Sequence, residues 1–284
     1  MSLQLWEKEI WINIFINLKK QSFFVYSMKV SIVTICRNDA NGLKKTINSV
    51  RKQTYRDIEY IVTDGASTDS TIDVIKANLD IIDSWISEPD NGIYNAMNKS
   101  VCRCTGEYVI FMNSGDCFYN SEVIDNVFSL NLTEDVLYGD VCFEKVQSAN
   151  KELKTLQDFF CKSPFCHQGV FTRLESIKQE GFDENLKIVA DWAMFTTLFM
   201  KGRSFRYVPY VVAKCQAAGL SSDAERNNME RLYFLESIYS RRITDDYMEL
   251  QKLKNGVLFS YYNRIERSKR FKYYLRTLLE LLHI

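Results

Sequence analysis

The sequence has little of what marks several common classes of protein. Three prolines and eleven glycines in 284 residues leave no segment with the composition of a linker or a low-complexity repeat. The formal net charge is zero, which argues against binding through a general basic surface, so we expect no nucleic-acid partner. Two histidines, and eight cysteines without a CxxC pair, disfavour a zinc site and fit a reducing compartment better than a disulfide scaffold.

What is present is the composition of a globular protein, with 46% hydrophobic and 25% charged residues. From Lys29 to Met112, short β-branched runs alternate with amphipathic helical segments, and the connections between them are short. This alternation predicts an α/β fold, in which a mixed, mostly parallel sheet is flanked by helices. The second half is less regular, and we expect strands at 136–138 and 141–145, a helix at 191–200 and a strand at 205–212.

The pattern divides the chain into three parts. Residues 1–27 form an N-terminal extension, which is either an amphipathic surface helix or a segment upstream of a natural start at Met28. Residues 28–222 form the α/β domain, with a first half at 28–117 and a second half at 118–222. Residues 223–284 form a helical, increasingly basic extension that either packs against the domain or binds a membrane surface.

Polar side chains follow the predicted strands of the first half at the points where these strands end. They form three sets, at 34–38, 64–69 and 113–116, and a fourth set at 90–99 comes from a loop and the helix after it. Because the carboxyl ends of parallel strands lie at one edge of a sheet, we expect these sets to meet there. In open α/β sheets that edge is the usual ligand crevice.

These polar sets suit a nucleoside diphosphate. Asp64 can accept hydrogen bonds from a base or a ribose, and Lys99 or Arg37 can neutralise the pyrophosphate. Asp116 can hold a divalent cation, Mg²⁺ or Mn²⁺, because hard cations prefer carboxylate oxygens. Neither a GxGxxG dinucleotide-binding motif nor a Walker A motif occurs, so the metal and the side chains must meet the phosphate charge.

Over about residues 29–222 the sequence resembles the family 2 glycosyltransferases, which have the GT-A fold. The matching stretches are specific in the first half of the chain and less so afterwards: Val30–Thr34, Asp64–Asp69, Ser87–Lys99, Gly106–Tyr108, Phe111–Asp116 and Val189–Trp192. The resemblance is to bacterial enzymes that build surface polysaccharides. It implies transfer of a sugar from a nucleotide-activated donor, with inversion at the anomeric carbon.

The resemblance also implies a role for individual residues. Asp116 would bind the divalent metal, and Asp191 would be the general base that takes the proton of the acceptor hydroxyl. The nucleotide site would be lined by nine residues, Thr34, Arg37, Asn38, Asp64, Ser67, Asp90, Lys99, Asn113 and Ser114. Contacts to the acceptor or to the donor sugar are expected from Asn91, Gly92, His167, Gln168 and Trp192.

Structural interpretations of the same residues stay open. Asp191 could be an ordinary helix N-cap, with Asp183 as the rival base in a loop before it. His167 could be a structural histidine, and Lys99 a solvated helix residue. The family often has two carboxylates at the metal motif, whereas the sequence before Asp116 is Ser-Gly, so metal binding would depend on this one carboxylate.

The sequence therefore predicts a metal-dependent, inverting glycosyltransferase that uses a nucleotide-sugar donor, with UDP-sugar favoured. We expect a saccharide acceptor carried on a lipid, in surface polysaccharide synthesis in the cytoplasm or at the inner face of the cell membrane. The Q/R-x-x-R-W motif of processive relatives is absent, which favours a single addition. The alternatives are a non-catalytic sugar-nucleotide-binding or scaffolding subunit and a sugar nucleotidyltransferase, although the latter needs a glycine-rich phosphate loop that residues 34–38 lack.

Overall fold

The computed structural model describes residues 28–143, 146–148, 150, 152–160, 163–216 and 224–255. The N-terminal extension at 1–27, the expected loop at 218–222 and the basic segment after residue 255 lie outside the described residues. In the part that is described, no helix is long and apolar enough to cross a membrane.

The first half of the domain has the predicted alternation of strands and helices. Its four strands are parallel and adjacent in the order β3-β2-β1-β4. All seven residues of β1 are buried, as expected for a strand that is covered on both faces. The elements are β1 (Val30–Cys36), α1 (Ala40–Arg51), β2 (Ile58–Asp64), α2 (Thr71–Lys76), β3 (Ser84–Ser87), α3 (Ile93–Val101) and β4 (Tyr108–Phe111).

The second half extends the same sheet in the order β4-β8-β6-β9-β5, with β7 paired to β6. Strands β8 and β5 are antiparallel to their neighbours, and β6 and β9 are parallel to each other. The elements are β5 (Cys117–Phe118), α4 (Val123–Phe128), β6 (Val136–Phe143), β7 (Val146–Gln147), α5 (Gln157–Phe160), β8 (Val170–Arg173), α6 (Leu174–Glu180), α7 (Ala190–Met200), β9 (Phe205–Cys215), α8 (Ala224–Ile238) and α9 (Arg241–Asn255).

The predicted α/β fold with a mixed, mostly parallel sheet is confirmed, but one expected strand break is wrong. The pair expected at 136–138 and 141–145 is a single strand, β6, whose pairing with β9 shifts register on both sides of Asp140. A Cβ on Gly139 would lie 2.6 Å from the carbonyl oxygen of Tyr210, so glycine permits this close approach. The Gly-Asp pair therefore marks an irregularity inside a strand and not a turn between two strands.

The core consists of two apolar clusters, one on each face of the sheet. Alternate residues of β1 divide between them, with Ile32 in one cluster and Val33 in the other. Helices α1, α2 and α4 contribute to the first cluster, and helices α3, α6 and α7 to the second. Because the side chains of the strands are used on both faces, ligand chemistry is confined to the strand ends and the loops that follow them.

Candidate active site

A cavity of about 660 Å³ opens at the carboxyl end of β4. Its lining includes the start of α3, the turn after β4, the segment 163–168, the start of α7 and one face of α8. Seven of the predicted site residues meet in its wall, namely Asn113, Ser114, Asp116, His167, Gln168, Asp191 and Trp192. The remaining nucleotide-binding candidates do not line this cavity. They lie at or near a neighbouring rim formed by the ends of β1, β2 and β3, which Lys99 reaches from α3.

Asp191 lies in the first turn of α7 with both carboxylate oxygens hydrogen-bonded. Oδ2 accepts from Nδ1 of His167 at 3.1 Å, and Oδ1 accepts from the hydroxyl of Tyr94 at 3.1 Å. The N-cap position of α7 is Val189, so the interpretation of Asp191 as a simple N-cap is wrong. Burial by itself raises the pKa of Asp191, but the hydrogen bond and charge of His167 hold it below its usual value.

His167 connects Asp191 to the end of β4. Burial lowers its pKa, yet the hydrogen bond to Asp191 and the charge of that carboxylate raise it above the usual value. Nε2 of His167 lies 3.2 Å from Nδ2 of Asn113, and Oδ1 of Asn113 is buried without a hydrogen-bond partner. If the imidazole is protonated, Nε2 of His167 and Nδ2 of Asn113 are both donors. Rotation of the Asn113 amide by a half-turn would bring its oxygen, Oδ1, to Nε2 as an acceptor.

Asp116 is 6% exposed and is held from two sides. Oδ2 accepts from Nε2 of Gln168 at 3.0 Å, and Oδ1 accepts from the backbone N–H of Gln216 at 3.1 Å. The hydroxyl of Thr46 donates to the carbonyl oxygen of Asp116 at 2.7 Å, which ties the turn to α1. Burial raises the pKa of Asp116, and this cost of ionisation would be offset by a bound cation.

A metal at this position would depend on few protein ligands. Among the described residues, no three His, Cys, Asp or Glu side chains converge to form a metal site. Asp116 and Asn113 nevertheless line the same cavity, and carboxylate and amide oxygens are hard donors of the kind that Mg²⁺ and Mn²⁺ prefer. The donor types therefore fit a divalent cation that would complete its coordination with ligand and water oxygens.

On the neighbouring rim, Asp64 organises the loop after β2. Its carboxylate is fully buried and accepts from the backbone N–H of Ser67 at 2.9 Å and from the hydroxyl of Ser87 at 2.7 Å. The hydroxyl of Ser67 also donates to it, and accepts in turn from the backbone N–H of Asn38 at 2.7 Å. The three predicted residues Asn38, Asp64 and Ser67 thus form one hydrogen-bonded group.

Asp90 and Lys99 fix the loop between β3 and α3. Asp90 accepts from the backbone N–H of Gly92 at 2.9 Å, and a Cβ on Gly65 would lie 2.3 Å from Oδ2 of Asp90. The ammonium group of Lys99 donates to the carbonyl oxygen of Pro89 at 2.9 Å and lies 2.7 Å from the carboxylate of Glu88. Lys99 is therefore not simply a solvated helix residue, because it holds this loop to α3.

The other rim candidates differ in their access to a ligand. Arg37 is exposed, whereas Thr34 is fully buried, bonds to the hydroxyl of Tyr60 and donates to the carbonyl oxygen of Met112. The expectation that Thr34 lines the nucleotide site is therefore corrected: its side chain lies beneath the rim. Asn91 and Gly92 line a second cavity of about 130 Å³, which also contains Lys187 and Arg226.

Two of the expected sugar contacts also have structural partners. Gln168 donates to Asp116, and the indole N–H of Trp192 donates to the carbonyl oxygen of Phe159 at 2.9 Å. Trp192 is 2% exposed and the Cζ of Arg231 lies 4.5 Å from its ring centroid, so stacking of a sugar on this ring is not supported. Sequence reasoning missed Tyr94 and Arg231: Tyr94 lies in a motif but on an apolar helix face, and no motif marks Arg231.

The strand order, the reversed β8 and the cavity at the carboxyl edge of the sheet characterise this domain. S. aureus TarS 1–349 in complex with UDP-GlcNAc has a TM-score of 0.60 at 18% identity, covering 81% of this chain and 74% of that one. The mannosyltransferase PcManGT from Pyrobaculum calidifontis, in complex with GDP-Man and Mn²⁺, has a TM-score of 0.57 at 17% identity, covering 91% and 81%. These likenesses show the GT-A fold.

Sequence comparison then identifies the family. Residues 31–166 match the model of glycosyl transferase family 2, so the chain carries a family 2 glycosyltransferase domain. A PGL/p-HBAD biosynthesis glycosyltransferase of Mycobacterium bovis is 27% identical over 197 residues, covering 66% of this chain and 77% of the relative. An uncharacterized glycosyltransferase of Mycobacterium tuberculosis is 41% identical over 96 residues, 34% of this chain, and the match spans only 37% of that relative's length.

Proposed function

We propose that this chain transfers a sugar from a nucleoside-diphosphate donor, with a UDP-sugar favoured, to a saccharide hydroxyl with inversion at the anomeric carbon. The observation that carries the proposal is that Asp116 and Asp191 line one cavity at the carboxyl edge of a GT-A sheet. The complexes of TarS with UDP-GlcNAc and of PcManGT with GDP-Man support a nucleotide-sugar ligand.

Asp191 is the proposed general base. As the acceptor oxygen bonds to the anomeric carbon and the bond to the diphosphate oxygen breaks, the proton of the acceptor hydroxyl passes to this carboxylate. The hydrogen bonds from Tyr94 and His167 fix the direction of the carboxylate, and its lowered pKa keeps it ionised at neutral pH. The same low pKa makes it a weak base, so orientation has to contribute much of the rate.

Asp116 is the proposed metal-binding residue, together with the oxygens of the donor diphosphate. A divalent cation bound there would neutralise the charge that develops on the leaving diphosphate. Gln168 and the backbone N–H of Gln216 orient the carboxylate, and Asn113, in the turn after β4, lines the same cavity. The Mn²⁺ in the PcManGT complex supports a divalent cation as the cofactor.

The proposal extends to the acceptor and the place of action. We propose that one sugar is added to a lipid-linked saccharide, at the cytoplasmic face of the cell membrane, in synthesis of a surface polysaccharide or glycolipid. The name of the Mycobacterium bovis relative, which assigns it to PGL/p-HBAD biosynthesis, supports a glycolipid acceptor.

The first experiment is a thermal-shift screen of the full chain with UDP, GDP and dTDP, each with and without Mn²⁺. One diphosphate is expected to stabilise the chain by about 2–3 kcal/mol at a concentration near 100 times its Kd, and only with Mn²⁺. Asp116→Asn should abolish the part of this stabilisation that depends on Mn²⁺. Asp73→Asn, which changes an exposed carboxylate on α2, should leave it unchanged.

Donor hydrolysis, measured as release of the free nucleotide, distinguishes a transferase from a non-catalytic subunit. Slow hydrolysis of the sugar nucleotide that stabilises the chain supports a transferase. If a sugar nucleotide stabilises the chain but is neither hydrolysed nor used for transfer to an acceptor, the chain is a non-catalytic sugar-nucleotide-binding subunit. If no diphosphate changes Tm with or without metal, the proposal is wrong.

A further inference from the structure

The turn that carries Asp116 has a glycine at the position directly before it. Gly115 is buried and has a φ of 94°, a backbone conformation that residues with a side chain rarely adopt. Its N–H donates to the hydroxyl oxygen of Thr46 at 3.0 Å, so the turn is held from α1. The turn therefore presents Asp116 without a side chain beside it at position 115.

Gln216, directly after β9, fills the space above this glycine. A Cβ on Gly115 would lie 2.3 Å from Nε2 of Gln216 and 3.0 Å from its Cδ. The pairing of β5 with β9 explains this contact, because Cys117 pairs with Lys214 in an antiparallel ladder, and continuing that register by two residues places Gly115 opposite Gln216. The backbone N–H of Gln216 also donates to Oδ1 of Asp116 at 3.1 Å. The backbone thus fixes residue 216 against the proposed metal-binding turn.

The side-chain amide of Gln216 is open to a ligand. Gln216 is exposed, lines the active-site cavity, and makes no side-chain hydrogen bond with any of the described residues. The other glutamine of this wall is engaged at both ends: Nε2 of Gln168 donates to Asp116, and its Oε1 accepts from Sγ of Cys166 at 2.7 Å. Of these two glutamines, only Gln216 can therefore offer its amide to a molecule in the cavity.

We propose that the side-chain amide of Gln216 binds the diphosphate group of the sugar-nucleotide donor, next to Asp116. A glutamine amide carries two N–H donors, and hydrogen bonds to an ionised phosphate are among the stronger ones. Strand β9 then supplies a polar group to a metal motif that has a single carboxylate, although Gln216 lies beyond residues 31–166 that match family 2. This inference rests on the proposed function and adds a donor-binding residue to it.

The test measures the affinity of the full chain for UDP by calorimetry, with Mn²⁺ at saturation. Gln216→Met removes the amide but keeps the length of the side chain and the backbone N–H that bonds to Asp116. UDP affinity should fall about tenfold, the value of one hydrogen bond to a charged group. Uridine has no phosphate, so its binding, followed by ligand-observed NMR, should be the same in the variant and the wild type.

A second variant distinguishes a contact with the diphosphate from a contact with the cation. Gln216→Glu keeps the shape of the side chain but replaces its N–H donors with a negative charge, so UDP affinity should fall further than in Gln216→Met. Gln179→Glu is the matched control, because Gln179 is exposed on α6 and does not line the cavity, and it should leave UDP affinity unchanged. Since residue 216 is exposed, neither variant should change Tm in the absence of ligand.

Three results would overturn the inference. They are an unchanged UDP affinity in Gln216→Met, an equal loss for uridine, which would make Gln216 a contact of the nucleoside, and tighter binding of UDP with Mn²⁺ in Gln216→Glu, which would make it a contact of the cation. Wild-type UDP binding and donor hydrolysis are measured in the same series. If both are present and Gln216→Met matches the wild type, the inference alone fails; if the wild type binds no nucleoside diphosphate, the proposed function fails with it.

Discussion

Two regions of this domain are built in different ways: the donor rim, which is the group around Asp64 at the ends of β1, β2 and β3, and the base region, which is Asp191 with the side chains around it. At the rim, Asp64 is held by Ser67, three residues further on, in the loop that follows its own strand. In the base region, Asp191 bonds to Tyr94, 97 residues away, and Arg231 bonds to Ser163, 68 residues away. The hydrogen bonds of the rim therefore join residues 3 to 29 positions apart, whereas the base region exists only after α3, the 163–168 segment, α7 and α8 have packed together.

The largest expected effect comes from substitution of Asp191, the proposed general base. Asp191→Asn keeps the shape of the side chain but removes the proton acceptor, so turnover should fall about 10²- to 10⁴-fold while UDP affinity stays unchanged. Asp183→Asn is the matched control, because Asp183 is exposed and its side chain accepts hydrogen bonds from Asn185. A loss of turnover in the control, or none in Asp191→Asn, would make Asp183 the better candidate.

The second effect tests whether α8 belongs to the site. Glu230→Ala leaves three backbone N–H groups before α7 without their acceptor, so we expect a loss of about 1–3 kcal/mol in the free energy of unfolding and reduced turnover. Urea unfolding and donor hydrolysis measure the two effects. Glu225→Ala, at an exposed position in the first turn of α8, should leave both near wild type. Equal effects of the two variants would contradict the anchoring role.

The third effect is a pH dependence of stability that comes from the His167–Asp191 pair. The pKa of Asp191 is lowered from 3.8, so its contribution is present above that value and is lost as the pH falls through the lowered pKa. The pKa of His167 is raised from 6.5, so its contribution is complete below 6.5 and is lost as the pH rises through the raised pKa. The pair therefore stabilises the fold most at pH values between 3.8 and 6.5.

A variant isolates that contribution. His167→Gln should lower Tm more at about pH 5.5 than at about pH 9, because the wild-type ion pair is lost at the higher pH. The difference in Tm between wild type and variant is measured across the pH range by scanning calorimetry. A difference that is constant with pH, or larger at the alkaline end, would show that His167 is not charged in the folded state.

The smallest expected effect falls on the rim. Ser87→Ala removes one of the donors to Asp64, and the rest of the loop stays in place, so we expect a loss of about 0.5–1.5 kcal/mol in stability with little change in turnover. Urea unfolding measures it, with Ser129→Ala as the control for loss of an exposed hydroxyl. A large loss of turnover in Ser87→Ala would show that the rim is as finely positioned as the base region.

Much of the donor rim could be predicted because its signals are local. A β-branched run followed by Asp64 and Gly65 predicts a buried strand that ends at the aspartate, and β2 is buried and ends at Asp64. Thr34 was misjudged because a strand-end motif does not reveal which face a side chain takes, and this one points into the core. The bulge at Gly139 was misread for the same kind of reason, since glycine marks both a turn and a close backbone approach.

The sequence alone determined the alternation of strands and helices, the position of the polar strand ends and the family of the domain, because these follow from residue type and spacing along short segments. Only the tertiary structure decided that Tyr94 and His167 hold Asp191, that Gln168 holds Asp116 and that Arg231 enters the cavity. Hydrogen bonds between residues far apart in the chain depend on how whole elements pack, and no local pattern encodes that.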